Sequence, residues 1–510
     1  MIDKHVVVIG AGAGGLAVLR AMQRAGFRRV ECLEMAADVG GVWSKVDYPD
    51  LTTHSRAHNY RYADYRPIAT RNEQASRDEV LQYFHDFTRD HALREHIRFG
   101  VRVESIAYRP GQSPACELTV VDTETGEREP LRCDIVVCAL GFSNAGTPNR
   151  PQLPGESDFR GTVVHSSEFD RAMLEDILDN DRRAVVVGAG KSAQDILCSL
   201  ARRGHQRMAC VYRKALWAYS YEFMYGRMGP RQSALVAYAF ALGKLRKAMG
   251  HSELMHRLSR PLVREGFIVN PFEPDSDVFL HRGAVLRADQ AELLRAVART
   301  KAGVQGLEPD ALITDEGERL PADYVILATG YRRAANLPEI RIVREGGEQG
   351  YDPRLRPSLH RQMVDPVIPA VSLFSAEIIF PQQAFGFSIA AEWLARFHAH
   401  RLHRQPTVAQ MEQALAREEG TTTPWCATGR NDSGGMPYSF EVSHIIDTLV
   451  SLFRDLGLPA RLARQSYTQF ADEQQFDRLC KAIELRLHGT ERVRPRAFAV
   501  MSRLQRSVRL

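Results

Sequence analysis

The chain has little of what would classify it quickly. It carries eight cysteines in 510 residues, and no two form a CxxC pair. Cys133 and Cys138 bracket the strand-like run Asp134 to Val137; their odd spacing sets them on opposite faces of a strand, so a redox dithiol is not expected. No Cys and His spacing fits zinc, and no metal is expected. This cysteine usage suits a reducing compartment, and the expected location is cytoplasmic. No signal-peptide pattern stands ahead of the first apolar strand. The longest uncharged apolar run in the middle of the chain, Ala234 to Gly243, is ten residues, too short to span a bilayer, so no transmembrane segment is expected. Lys244, Arg246 and Lys247 follow it, which leaves open a surface-seeking amphipathic helix beside a packing helix. Neither sign of charge dominates: 67 Lys and Arg stand against 62 Asp and Glu, a net charge of +5. That balance tolerates anionic cofactors but gives no ground for nucleic acid, and no basic-and-aromatic binding motif appears. Hydrophobic content of 44% and 25% charged residues are ordinary for a globular enzyme of two or three domains.

What is present is a pair of glycine-rich turns 178 residues apart. The first, Gly10-Ala11-Gly12-Ala13-Gly14-Gly15, follows the apolar run Val6 to Ile9. The second, Gly188-Ala189-Gly190-Lys191-Ser192-Ala193, follows Ala184 to Val187. Each reads as strand, tight turn and helix, the way a βαβ unit offers a helix N-terminus to a dinucleotide pyrophosphate. Gly10 permits the sharp turn, Gly12 lets the backbone approach phosphate, and Gly15 lets helix and strand pack closely. Leu16, Leu19 and Met22 continue the first helix towards Gly26, a suitable residue just past a helix end. The next strand, Val30 to Leu33, ends at Glu34, 19 residues after Gly15, where a carboxylate can accept ribose hydroxyls. An ordinary turn without ligand is the bland alternative.

The second turn has Ala193 for the third glycine, and its next strand, Met208 to Val211, runs into Arg213-Lys214 instead of an acid. Arg213 is 20 residues after Ala193. A cation there suits the 2′-phosphate of NADPH, though a solvated surface charge would look the same. Lys191 and Ser192 sit at the helix start, within reach of phosphate. Two dinucleotides on one chain suggest electron traffic between a nicotinamide and a flavin.

The fold class expected is α/β, with two Rossmann-like dinucleotide-binding domains, the NADPH domain inserted into the FAD domain, and a helical C-terminal region. The FAD domain occupies 1–155 and resumes over 326–485 with the C-terminal helices. The NADPH domain occupies 156–325 and carries a helical-looking insert at 215–275. A proline-rich linker, Thr147 to Gly155, marks the first crossing. Strands are expected at Arg98–Ile106, Glu117–Asp122 and Asp134–Leu140. The run Asp323 to Tyr331 echoes Asp134 to Gly141, suggesting paired crossovers. The tail 486–510 carries seven arginines against one acid, and reads as a basic surface arm.

On these residues the chain resembles the flavin-containing monooxygenases, the class that includes Baeyer–Villiger and N-hydroxylating relatives. The resemblance rests on both turns, Gly40-Gly41-Val42-Trp43, the strand end Ala328-Thr329-Gly330-Tyr331, and a fingerprint spanning Phe159, Gly161, His165 and Phe169. The segment Ser443 to Pro459 is similar to the C-terminal helix of the flavin-containing subgroup. Phe169-Asp170 resembles that subgroup more than the Baeyer–Villiger one, whose late Lys-Arg pair is not found. Ornithine-type N-hydroxylases share the Asp323 to Tyr331 pattern but usually lack the His165 fingerprint.

The resemblance implies that hydride passes from NADPH to FAD, and that the reduced flavin captures dioxygen as a 4a-hydroperoxide. One oxygen atom then enters a soft nucleophile, an amine nitrogen or thioether sulfur of a small organic substrate. Baeyer–Villiger attack on a ketone, and an NADPH oxidase or flavin reductase releasing peroxide, are the alternatives. It places FAD on Gly10, Gly12, Gly14, Gly15, Glu34, Gly41, Trp43, Gly330, Phe387 and Ser388, with the turn Phe385 to Ser388 opening a helix at Ile389 towards the flavin. It places NADPH on Gly188, Gly190, Lys191, Ser192, Ala193, Arg213 and Lys214. His165 is read as orienting the interdomain linker. His54 stands where the flavin-containing subgroup usually has Asn and the Baeyer–Villiger enzymes usually have Asp. As an imidazole it can donate or accept a hydrogen bond and can titrate near neutrality, and it is read as catalytic or else as a surface loop residue; Asn59 is close but out of register. A homodimer is left open.

Overall fold

The computed structural model describes residues 2–489 apart from 142–146, 216, 227–228, 250–252, 270, 273–281, 332–336, 354–358, 375–382, 419–441 and 471. Numbered along the chain, the strands form five sheets. The first has the order β21 (Val371–Leu373), β7 (Ile135–Cys138), β1 (Ile2–Ile9), β2 (Phe27–Leu33), β3 (Ile97–Arg98), and every pairing is parallel. The second is likewise parallel, in the order β14 (Ala298–Thr300), β10 (Met208–Val211), β9 (Ala184–Val187), β18 (Tyr324–Leu327), β8 (Thr162–His165). A mixed sheet, β20 (Gly347–Tyr351), β19 (Glu339–Arg344), β4 (Val101–Tyr108), β5 (Cys116–Asp122), β6 (Arg128–Cys133), packs against the first. Two three-stranded sheets complete the set: β12 (Ile268–Val269), β11 (Trp217–Ser220), β13 (Arg282–Leu286), and β15 (Val304–Glu308), β16 (Ala311–Thr314), β17 (Arg319–Pro321).

Residues Val6 to Ile9 of β1 are buried on both faces, Val6 and Val8 on the helix side and Val7 and Ile9 against the mixed sheet. The helix α1 (Ala13–Arg24) lies on this sheet through Leu16, Leu19 and Met22, and ends before Gly26 at φ +93°, a left-handed conformation that glycine adopts without penalty. Against α1 packs α10 (Gln383–His398). The other helices are α2 (Val42–Lys45), α3 (Arg77–Asp90), α4 (Arg171–Asp179), α5 (Lys191–Arg202), α6 (Tyr221–Tyr225), α7 (Pro230–Met249), α8 (Glu253–Arg264), α9 (Ala288–Ala296), α11 (Val408–Glu418), α12 (Val442–Asp455), α13 (Ala460–Thr468) and α14 (Glu473–His488). None of the described helices is long and apolar enough to cross a membrane.

The architecture is thus two Rossmann-like units. All strands of the second sheet lie in sequence between β7 and β21 of the first, so one unit is inserted in the other. The two crossings run side by side: Pro148 bridges Tyr331, the Asn149 amide donates to the Gly330 carbonyl at 2.8 Å, and the Thr329 hydroxyl donates to the Asn149 carbonyl.

Four sequence readings need correction. Arg98–Ile106 is not one strand: Gly100, at φ +69°, redirects the chain, so β3 joins the first sheet and β4 the mixed one. The 215–275 insert is mostly helical but contains β11 and β12, which pair with each other. The helix preceding the basic tail continues to His488, past the expected boundary at 486; the residues beyond 489 lie outside those described. Cys133 and Cys138 end two different strands and share one apolar core instead of occupying opposite faces; the seven described cysteines are all free and buried.

Candidate active site

The first cradle is closed from two sides by glycines. A Cβ on Gly15 would lie 1.7 Å from the Gly10 carbonyl oxygen, so α1 could not start where it does with any other residue. Gly12 faces Gly41: a Cβ on Gly41, itself at φ +59°, would lie 3.0 Å from the Gly12 Cα. The Gly40 amide donates to the Ala11 carbonyl at 3.1 Å and fastens the two loops together. A Cβ on Gly14 would meet the Phe374 ring at 3.1 Å. Glu34, only 6% exposed, accepts from the Ala11 amide at 2.6 Å and from the Ala36 amide at 2.8 Å. Each carboxylate oxygen has a second lone pair, so acceptor capacity for ribose hydroxyls remains. A narrow backbone cradle beside a buried acid is the chemistry a dinucleotide requires, and the residues fit one.

The loop after Gly41 wraps this cradle in aromatic rings. Trp43 Nε1 donates to the Tyr60 hydroxyl at 2.7 Å, and the Tyr62 hydroxyl donates to the Ala13 carbonyl at 2.7 Å. Ser388 Oγ accepts from the Ala63 amide at 2.9 Å and donates to the Phe385 carbonyl at 2.7 Å. Phe385 to Ser388 lie inside α10, which begins at Gln383, so they do not form a turn that opens a helix at Ile389. Phe387 packs on Phe374 at 5.9 Å between centroids. Asn59 is buried and ties Nδ2 to the Phe470 carbonyl at 2.7 Å.

The second cradle repeats the turn with a more open mouth. Gly188 sits at φ +127°, and a Cβ there would lie 2.4 Å from the Ala328 carbonyl oxygen. Around Gly190 a Cβ would meet nothing within 4 Å, so free space lies at the start of α5. Ser192 sits beside Lys191 in the first turn of α5, and Ala193 is buried beneath it. Arg213 and Lys214 are exposed just beyond the end of β10. A cradle that a side chain would fill, flanked by exposed cations, also fits a dinucleotide.

His165 ends β8 and is fully buried. Its Nδ1 lies 2.8 Å from Ser167 Oγ and its Nε2 3.0 Å from the Gly330 carbonyl oxygen, so it touches the second crossing directly. Burial lowers its pKa. Gly330 itself follows β18 of the second sheet, not a strand of the first. Phe159 and Phe169 are buried in the second unit's cores, and a Cβ on Gly161 would strike the Asp323 carbonyl oxygen at 2.3 Å.

His54 is half-buried on a segment held antiparallel to 73–77, with the Thr53 amide donating to the Ala75 carbonyl at 2.8 Å. Burial first, and then the charge of Lys191, pull its imidazole down to about 3. It is therefore neutral at pH 7.

Sequence reasoning missed how the units are joined. Tyr48 donates its hydroxyl to Asp195 Oδ2 at 3.0 Å. Asp50 accepts from Ser199 Oγ at 2.7 Å and from Arg203 at 2.6 and 3.2 Å. Lys191 pairs with Asp195. Val46 and Tyr48 are buried in the second unit's core. Positions 191, 195 and 199 recur every fourth residue and so share a face of α5, with Arg203 following as its C-cap; that periodicity was readable, but its partner was not.

Two parallel-sheet units, each with a glycine cradle for a dinucleotide, form the architecture of an oxidoreductase that uses two dinucleotides. Residues 3–348 match the family described as flavin-binding monooxygenase-like, and the chain belongs to that family; it is a flavin-binding monooxygenase enzyme. The chain is 27% identical over 364 residues to an uncharacterized monooxygenase of Mycobacterium tuberculosis (strain ATCC 25618 / H37Rv), covering 67% of this chain and 70% of that one. It is 24% identical over 377 residues to the probable FAD-binding monooxygenase AlmA of Acinetobacter sp, covering 68% and 70%. Its fold is similar to that of cyclohexanone monooxygenase from Rhodococcus sp. Phi1 bound to NADP+, with a TM-score of 0.62, 18% identity and coverage of 89% and 98%.

Proposed function

We propose that the first cradle holds FAD and the second NADPH, and that the enzyme inserts one atom of dioxygen into a soft nucleophile, an amine nitrogen or thioether sulfur of a small organic molecule. On this reading residues 156–325 are the NADPH domain and the flanking parts the FAD domain. The FAD-binding relative from Acinetobacter and the NADP+-bound cyclohexanone monooxygenase support the pair of cofactors. When bound, the reduced flavin activates dioxygen and supplies the electrophilic oxygen atom, the other atom leaving as water.

The protein's part is placement and exclusion of water. Glu34 accepts the ribose hydroxyls of the first dinucleotide. Gly12, packed against Gly41, brings the N-terminus of α1 to its pyrophosphate. Lys191, Ser192 and the first amides of α5 receive the second pyrophosphate, and Arg213 and Lys214 receive the 2′-phosphate. His54, held neutral at pH 7 by burial and by Lys191, would be a poor base toward an oxygen carried by the flavin, which favours a soft nucleophile. Baeyer–Villiger chemistry needs the proton on that oxygen removed.

The test is product analysis with NADPH and dioxygen against three probes: methyl phenyl sulfide, N,N-dimethylaniline and cyclohexanone. Sulfoxide or N-oxide without lactone supports the reading; lactone alone overturns it. The imidazole in place of the family's usual Asn or Asp favours a second reading, an NADPH oxidase releasing peroxide. Stoichiometric peroxide with no oxygenated product from any probe would establish that one. We assign the enzyme to the cytoplasm, which the seven free cysteines support.

A further inference from the structure

The carboxylate of Asp195 is 6% exposed and serves two masters from opposite sides. Its Oδ1 receives the Lys191 ammonium, and its Oδ2 receives the Tyr48 hydroxyl at 3.0 Å. Lys191 is the first residue of α5, next to the open space at Gly190. Tyr48 belongs to the other unit, six residues before His54, on the segment that Asp50 also fastens to α5 through Ser199 and Arg203. One end of this chain of contacts therefore lies at the second cradle and the other at the segment bearing His54.

We propose that Lys191 is an exchangeable cation: it rests on Asp195 while the second cradle is empty and moves to the dinucleotide phosphate when the cradle fills. Tyr48, bonded to the same carboxylate, then carries the exchange to residues 46–54. This rests on the assignment of the second cradle to a nicotinamide dinucleotide. Three physical facts drive it. A phosphate at the N-terminus of α5 adds negative charge within reach of the Lys191 stem, and phosphate competes with carboxylate for an ammonium. Asp195 is too buried to stay without donors, so losing Lys191 strengthens its hold on the remaining Tyr48 hydroxyl. That bond spans two units, so tightening it alters how firmly 46–54 is held. Neither Lys191 nor Tyr48 touches reacting atoms on this account; both are positioning residues.

The test is hydrogen exchange of the flavin-loaded full chain with and without saturating NADP+, with NADP+ affinity measured by calorimetry on the same preparations. In the wild type, NADP+ should slow exchange over 46–54 at least about threefold, while the β5 segment 116–122 stays unchanged. Lys191→Met keeps the stem and removes the charge. It should raise the NADP+ Kd about tenfold, the scale of a charge-assisted phosphate contact, and abolish the response of 46–54 at saturation. Tyr48→Phe should raise the Kd less than Lys191→Met does, since Tyr48 reaches the cradle only through Ser192 and Asp195, and should also abolish the response. A thermal midpoint close to wild type in either variant shows it to be folded, and one folded variant suffices. An unchanged 46–54 in the wild type, or the full response surviving in Lys191→Met or Tyr48→Phe, overturns the exchange while leaving the cofactor assignment standing. No calorimetric binding of NADP+ or NAD+ by the wild type overturns both.

Discussion

Two turns of nearly the same sequence build two different cradles. At the first, each of Gly12, Gly14, Gly15 and Gly41 faces atoms at 3.4 Å or less from an added Cβ, and the acid at the mouth is buried. At the second, Gly190 faces open space and the cations beyond β10 are exposed. A turn of this kind therefore specifies a backbone path, while its neighbours decide whether the ligand is enclosed or exchanged. The enclosed site suits a resident flavin; the open one suits a nicotinamide cofactor that arrives and leaves with each turnover.

The sharpest way to break this comparison is to add the same methyl group at both sites. Gly15→Ala must displace the Gly10 carbonyl from 1.7 Å, so it should cost about 3 kcal/mol or more of stability and leave little flavin bound. Gly190→Ala has φ −77°, an allowed conformation, and free space; it should stay within about 0.5 kcal/mol of wild type yet weaken NADP+ binding. Thermal unfolding, bound-flavin absorbance and calorimetry read the three quantities. Equal stability losses would mean that the two turns are not differently packed.

Acid should separate the units next. His360 and His398, both buried in the first unit, are pulled by burial down to about 3 each. In the unfolded chain they would protonate near 6.5, so the unfolded state binds more protons between those values, and stability falls as the pH drops below about 6.5. At pH 5 each costs about 2 kcal/mol. Asp323 in the second unit is lowered to about 2 by its hydrogen bonds with Arg183, so its contribution is lost only as the pH falls below the usual carboxylate range. His165 there shifts in the same direction as the first unit's imidazoles. His398→Gln should flatten the stability profile between pH 7 and 5, measured by thermal unfolding at fixed ionic strength; an unchanged slope would show that His398 protonates without cost.

A smaller effect tests the exposed cations. Arg213→Ala should raise the Michaelis constant for NADPH about tenfold, the low end of a charge-assisted contact at an exposed position, and leave NADH nearly unaffected. Equal losses with both cofactors would make Arg213 structural. The smallest effect is expected at the segment bearing His54. His54→Asn should change the ratio of oxygenated product to released peroxide by a factor of about three, with flavin reduction by NADPH close to wild type. An unchanged ratio would leave His54 as a loop residue.

Much of the fold was legible because it is local. The runs at Val6, Ala184 and Tyr324 are uninterrupted apolar strands, and glycines that admit no Cβ must be glycine in the sequence as well. Gly100 misled for the same reason, since a glycine inside a strand pattern says nothing about which sheet the next residues join. What could not be read is long-range. Tyr48 and Asp195 are 147 residues apart, and nothing near either names the other. The lowered pKa of His54 could not be read either, because it depends on burial and on Lys191, which only the assembled units bring near.

The insertion of one unit within the other also sets an order in time. Counting from the N-terminus, the second sheet has its last strand when residue 327 has been made, whereas the first waits for β21 at 371–373. During synthesis the inner unit can close around its own core while the outer one is still missing an edge. The unpaired side of β7 is then exposed for as long as the ribosome takes to add the intervening residues, at about 5–20 per second. The outer cradle, the more enclosed of the two in the finished protein, is on this account the last to be completed.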